Sequence, residues 1–193
     1  PHPLCYPQRV LATLDQRAAA FLRSIRANLQ YWRTSLERTP ALTHVADPVW
    51  QNVIRAILFA CEERSTRIDA AQWAIGLFGR MQQRGAWHEW SAVLQRVADA
   101  LVNEPALRSR VLTQVGQCRQ LDGQYEASIR VLEVAERLAL QSGDREQFAR
   151  CRASLSESLR RLRQFPEAAR LSQLVLDDLS QLTYGCSVTD ACV

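Results

Sequence analysis

The chain has 193 residues, of which 47% are hydrophobic and 23% charged, so it can bury a core and is not a disordered segment. Its net charge is +4, and all 24 basic residues are arginine. Because the chain has no lysine, it can contain neither a catalytic lysine that forms a Schiff base nor the phosphate-binding loop that needs a lysine. The sequence contains no run of about eighteen apolar residues, so no membrane span is predicted. Six cysteines without a Cys-x-x-Cys pair indicate a reducing, cytoplasmic setting.

The first 68 residues are expected to form a long capping helix and a first hairpin. Apolar residues recur every three or four positions from residue 8 to residue 38, which is typical of one face of an α-helix. Thr39-Pro40 ends this pattern, because the residue before proline avoids the helical region. Asp47-Pro48 then signals the start of a second helix, which ends in a polar stretch, residues 62–67.

Six more helices are predicted between Asp69 and Leu182. The third is expected to begin at an Asp69 cap and end at Gly85, and the turn at Ser142-Gly143-Asp144 separates the sixth from the seventh. Their predicted spans are about 69–84, 87–101, 106–121, 124–140, 145–162 and 166–182. The helical signal stops near Leu182 and leaves a tail, residues 183–193.

An aromatic residue follows three of the predicted turns. These residues are Trp87, Tyr125 and Phe165, spaced 38 and 40 residues apart. Small residues accompany them, with Gly116 and Ser128 in one hairpin and Ser156 and Ala168 in the next. A small residue allows two helices to approach, and the aromatic residue fills the space between them.

The segment Gly123-Gln124-Tyr125-Glu126-Ala127-Ser128 resembles the Gly-x-Tyr-x-x-Ala opening of a tetratricopeptide repeat helix. The period is longer than the usual 34 residues. It resembles the helical repeats that follow the ATPase module of large signal-transducing regulators, as does Arg84-Gly85-Ala86-Trp87-His88-Glu89-Trp90. We therefore expect an all-α protein in which about eight helices form antiparallel hairpins stacked as a short right-handed α-solenoid.

Residues typical of catalysis or of metal binding are scarce. The three histidines, His2, His44 and His88, are far apart and lack any ligand spacing, so no metal or cofactor is expected. No Gly-rich phosphate loop and no nucleophile–base pattern occurs. Trp50, Trp73, Trp87 and Trp90 are interpreted as core residues. The sequence therefore predicts a protein that is not an enzyme.

The repeat resemblance implies a groove lined by the first helix of each hairpin. Transferring the family's groove positions gives eleven candidate residues for binding a protein or peptide partner, and a solvated helix face is the alternative for each. Their arginines suit an acidic segment or a chain terminus as ligand. The family's Lys and Asn clamp for a carboxylate is missing. The candidates are Gln72, Gln82, Gln83, Arg110, Thr113, Gln117, Gln120, Arg150, Glu157, Arg160 and Arg161.

Two other functions remain open. The cluster Arg150, Arg152, Arg160, Arg161 and Arg163 could contact a nucleic-acid backbone, although intervening glutamates disfavour this hypothesis. The tail resembles the core of a ribosomally made, modified peptide that follows a helical docking body. Its candidate modified residues are Tyr184, Cys186, Ser187, Thr189 and Cys192.

Overall fold

The computed structural model describes the backbone of residues 8–38 and 47–189, and side chains for residues 16–38 and 47–177. The described regular structure is all α-helix, as predicted. None of the described helices is long and apolar enough to cross a membrane. They are α1 (Gln8–Glu37), α2 (Asp47–Glu62), α3 (Arg67–Gly76), α4 (Phe78–Arg84), α5 (Trp87–Ala100), α6 (Pro105–Leu121), α7 (Tyr125–Ser142), α8 (Arg145–Arg161) and α9 (Phe165–Thr189).

The chain divides into two compact units between Trp73 and Ala74. In the first unit, α1 packs against α2, and its buried stripe includes Ile25, Leu29 and Leu36. In the second unit each helix packs against the next one along the chain, and α6 also contacts α8. The first helices of two successive hairpins therefore touch.

The predicted third helix is wrong in two respects. The structure has two helices here, α3 and α4, because the backbone tightens at Leu77, whose amide bonds to the Ala74 carbonyl three residues back. Asp69 is not a cap. It lies in the first turn of α3, which begins at Arg67 directly after the buried Thr66.

The prediction that the helical signal stops near Leu182 is also wrong. The backbone of α9 continues to Thr189, so Tyr184, Cys186, Ser187 and Thr189 lie within a helix. Cys192 lies outside the described residues.

One turn geometry recurs in the second unit. At Gly85, Gly123, Gly143 and Arg163 the backbone φ is 72°, 76°, 71° and 61°, in the left-handed region. Each of these residues donates its N–H to the carbonyl three residues back, and the next N–H bonds five residues back. This pair of bonds is the Schellman motif, which ends one helix before the next begins. The three glycines suit the motif because they carry no Cβ.

Most predicted core residues are buried. Trp50, Trp73 and Trp90 are buried, and Trp87 is half-buried. Burial raises the pKa of the Cys61 and Cys118 thiols to about 12, so both stay protonated and behave as small apolar residues. The aromatic filler pattern holds only in part. Tyr125 is half-buried, but Phe165 is 58% exposed.

Candidate functional site

The hairpin of α6 and α7 closes around a small-residue contact. A Cβ added to Gly116 would lie 2.6 Å from Cγ of Leu132, so only glycine permits this approach of the two helices. Across the same contact, the Ser128 hydroxyl donates to the Gly116 carbonyl at 2.8 Å. The contact fixes α7 behind α6 and leaves the other face of α6 for the next hairpin.

The hairpin of α8 and α9 repeats this contact forty residues later. Ser156 takes the place of Gly116, and Ala168 takes the place of Ser128. A serine–carbonyl hydrogen bond again joins the two helices. Here the serine is on the first helix, and the Ser156 hydroxyl donates to the Ala168 carbonyl at 2.9 Å. The two hairpins therefore pack in the same way, and α6 and α8 are the corresponding first helices.

A groove follows the faces of α6 and α8, and we call it the α6–α8 groove. It consists of two open cavities of about 500 and 610 Å³, and Gln117 lines both. The first cavity is lined by Ile75, Arg110, Thr113, Gln114, Gln117, Asp144, Glu146, Gln147, Arg150, Ala153 and Ser154. The second is lined by Phe78, Gln82, Gln117, Gln120, Leu121, Tyr125, Glu157 and Arg161. All these residues belong to the second unit.

Eight of the eleven predicted partner-binding residues line this groove. Arg110, Thr113, Gln117 and Arg150 line the first cavity, and Gln82, Gln117, Gln120, Glu157 and Arg161 line the second. Three candidates lie elsewhere. Gln83 is exposed on α4, and Arg160 is exposed on α8 outside both linings. Gln72 is exposed on α3 and belongs to the first unit.

Side-chain amides hold α6 to α8 along the floor of the groove. Gln120 Nε2 donates to the Ser154 carbonyl at 2.6 Å and to the Ser158 hydroxyl at 2.7 Å. Gln117 Nε2 donates to the Ser154 hydroxyl at 3.3 Å. These amides thus set the spacing of the two helices as well as lining the cavities.

Thr113 belongs to a buried polar cluster below the first cavity. It is 5% exposed, and its hydroxyl donates to the Ser109 carbonyl and accepts from Gln147 Nε2 at 2.7 Å. Cys151 Sγ lies 3.2 Å from the same hydroxyl. Burial raises the pKa of the Cys151 thiol, and hydrogen bonds from Thr113, Ser109 and Gln147 oppose that rise. Thr113 therefore supports the cavity from within.

Each groove arginine forms an ion pair with an acid of the same unit. Arg110 Nη2 lies 2.8 Å from Asp144 Oδ2, and Arg150 Nη2 lies 2.5 Å from Glu146 Oε1. Glu157 accepts from both Arg160 and Arg161, at 2.7 and 2.8 Å. These hydrogen bonds lower the pKa of Glu157, so it remains charged at neutral pH. The lining of each cavity therefore contains equal numbers of arginines and acids.

Asp144 is the most constrained of these acids. It precedes α8 and accepts the Gln147 N–H at 3.0 Å as an N-cap, while its other oxygen binds Arg110. The Arg110 bond, and after it the bond from the Gln147 backbone, lower the pKa of Asp144. Sequence reasoning missed Asp144 and Gln147, although an N-cap acid followed three residues later by glutamine is a capping pattern.

The arginine cluster proposed for nucleic acid is largely paired as well. Arg152 binds Glu136 at 2.9 Å and its guanidinium lies 4.1 Å from the centre of the Phe148 ring. Arg150 is paired to Glu146, and Arg160 and Arg161 are paired to Glu157, so most of the cluster is neutralised by an acid although these three side chains are exposed. This pairing weakens the field that would attract a phosphate backbone.

No protein-family model matches the chain, and no curated protein matches it. The resemblance to tetratricopeptide repeats therefore stays a prediction from the motif residues. Among the residues that the structure describes, no group of three or more His, Cys, Asp or Glu could hold a metal ion. His88 is exposed and its Nδ1 lies 2.9 Å from Asp122 Oδ2.

Proposed function

We propose that the second unit is a non-enzymatic recognition module that binds an extended peptide segment of a partner protein in the α6–α8 groove. The observation that carries the proposal is the continuity of the two cavities, which share Gln117. Concave sites with a few convergent polar groups are the usual places for ligands. In this reading the unit serves as a scaffold or as the sensor region of a larger regulator, in line with the repeat resemblance.

The dimensions of the groove support an extended peptide as the ligand. Arg110 and Leu121 are eleven residues apart on α6, so the groove runs for about 16 Å at 1.5 Å per residue. An extended chain advances about 3.3 Å per residue, so about five residues span the groove. The combined cavities of about 500 and 610 Å³ leave room for their side chains.

A blocking substitution tests the proposal. Ala153 is exposed on α8 and lines the first cavity, so Ala153→Trp fills the cavity without disturbing buried contacts. Random peptides displayed on phage would be selected against the whole protein, and an enriched peptide would be synthesised and titrated by calorimetry. We expect Ala153→Trp to weaken its binding at least tenfold.

The matched control is Ala169→Trp, the same change at an exposed position of α9 outside both cavities. It should bind the peptide as the unmodified protein does, and both variants should keep the helical circular-dichroism spectrum. If no peptide is enriched, or if Ala153→Trp binds as tightly as the control, the groove is not a peptide site.

A further inference from the structure

The orientation of the groove amides indicates which groups of a ligand they can meet. Gln120 Nε2 donates to a backbone carbonyl, that of Ser154, and Gln114 Nε2 donates to the Ile75 carbonyl at 3.1 Å. A carbonyl can only accept, so the amide nitrogen must be the atom that faces it in both cases. The oxygen Oε1 of each side chain is therefore the end left for other partners.

Both oxygens lack a donor within the described part of the chain. Gln114 Oε1 has no hydrogen-bond partner there, but the atom is buried, so a ligand meets it only after the side chain turns into the first cavity. No protein donor contacts Gln120 Oε1 among those residues either, since the contacts of Gln120 run through Nε2. Side-chain oxygens of this kind gain most from an incoming N–H group.

The arginines supply the complementary donors without a net charge. Each guanidinium has five N–H groups, and Arg110 and Arg150 each use one of their nitrogens for an acid. Their remaining N–H groups can meet carbonyl oxygens. Because Asp144, Glu146 and Glu157 already neutralise the arginines of the linings, an acidic ligand would have to displace an existing partner or approach those carboxylates.

We propose, resting on the peptide-binding function above, that the α6–α8 groove reads the main chain of an uncharged peptide segment, with glutamine oxygens accepting its N–H groups and arginines donating to its carbonyls. The ligand class differs from the acidic segment that the arginine content alone suggests. The half-buried Phe78 and Tyr125 and the exposed Leu121 give the second cavity an apolar wall for one side chain of that segment.

N-methylation of the ligand tests this assignment directly. The peptide enriched in the selection above would be resynthesised with a single N-methyl group at each position in turn, which removes one N–H donor without changing charge. We expect at least a tenfold loss of affinity at one or two central positions. We also expect less than a twofold change in Kd between 50 and 500 mM NaCl, since no net charge is neutralised on binding.

A double-mutant cycle locates the acceptor. In Gln120→Met the amide is removed with little change in length, so the N-methyl penalty at the position facing Gln120 should disappear. Gln83→Met, an exposed position of α4 outside both cavities, should keep the full penalty. Circular dichroism would verify that both variants stay folded, and if Gln120→Met unfolds, Gln120→Leu, which also lacks the amide, gives the same cycle.

Two outcomes would overturn the inference in different ways. Enriched peptides rich in Asp or Glu, with affinity that falls tenfold or more with salt and no effect of N-methylation, would mean an acidic ligand. In that case peptide binding itself would stand. If no peptide binds at all, the proposed function fails and this inference fails with it.

Discussion

The hairpin of α6 and α7 and the hairpin of α8 and α9 have the same backbone turns but different side chains along the groove. Both end their first helix in a Schellman turn, at Gly123 and at Arg163, and both close on a serine–carbonyl bond. Along the groove, however, Gln117 and Gln120 of α6 correspond to Glu157 and Arg160 of α8. The comparison shows that the two hairpins keep the same contacts inside each hairpin, whereas the residue types at the groove positions differ between them.

The largest expected effect comes from the small-residue contact. Gly116→Ala places a methyl group 2.6 Å from Cγ of Leu132, which is fully buried and cannot turn to solvent. Overpacking of this kind costs roughly 1–3 kcal/mol, reduced by up to about 1 kcal/mol because alanine favours the helix. We expect the free energy of unfolding to fall by about 2 kcal/mol, as measured by urea denaturation.

The corresponding position of the other hairpin provides the control for this prediction. Ser156→Ala removes only a hydroxyl group and should cost about 1 kcal/mol. In a Leu132→Ala background the added methyl group has room, so Gly116→Ala should then be neutral or stabilising. An unchanged urea midpoint for Gly116→Ala alone would mean that the two helices do not approach so closely.

Substitution of Asp144 is expected to cause the next largest loss of stability, because this residue joins the two hairpins. Asp144→Ala removes the N-cap of α8 and leaves Arg110 without its acid, at a cost of about 1–2 kcal/mol. Glu146→Ala removes only an exposed ion pair in the first turn of the same helix and should cost about 0.5 kcal/mol or less. Equal losses in the two variants would contradict a special role for the cap.

The pH dependence of stability sharpens the same prediction. The folded-state pKa of Asp144 is lowered, so its stabilising contribution is present above its unfolded pKa of about 3.9 and is lost as pH falls through the folded value. The unmodified protein should lose more stability than Asp144→Ala between about pH 5 and pH 2. Parallel curves of unfolding free energy against pH would show that Asp144 is not perturbed.

The sequence predicts the regular part of this fold and little of what joins distant residues. Helix bounds from α5 to α8 lie within about two residues of the prediction, because Gly85, Gly123 and Gly143 mark turns by local chemistry. The break at Leu77 and the extension of α9 depend on weaker local preferences and were missed.

The lining of the α6–α8 groove could be predicted in outline for a similar reason, whereas its role in binding stays a prediction. Corresponding positions on α6 and α8 follow from the repeat spacing, and seven candidates on these helices line the groove, together with Gln82 of α4. The ion pair of Arg110 with Asp144 and the bond of Gln120 to Ser154 join residues 34 apart in sequence. Such pairings depend on how one hairpin rests on the next, and no local pattern records them.

Substitution of Arg163 should change stability least, and it tests directly whether the two hairpins share the same turn geometry. It has φ 61° at the place where Gly123 has φ 76°, so a side chain stands where glycine would carry no strain. A non-glycine residue in this region costs about 1–2 kcal/mol, part of which is returned because glycine is more flexible in the unfolded chain. We therefore expect Arg163→Gly to stabilise the protein by about 0.5–1 kcal/mol in urea denaturation. The reciprocal change, Gly123→Arg, should destabilise it by a similar amount. If Arg163→Gly were instead destabilising, the two turns would not share one geometry, and the correspondence between α6 and α8 that defines the groove would lose its clearest support.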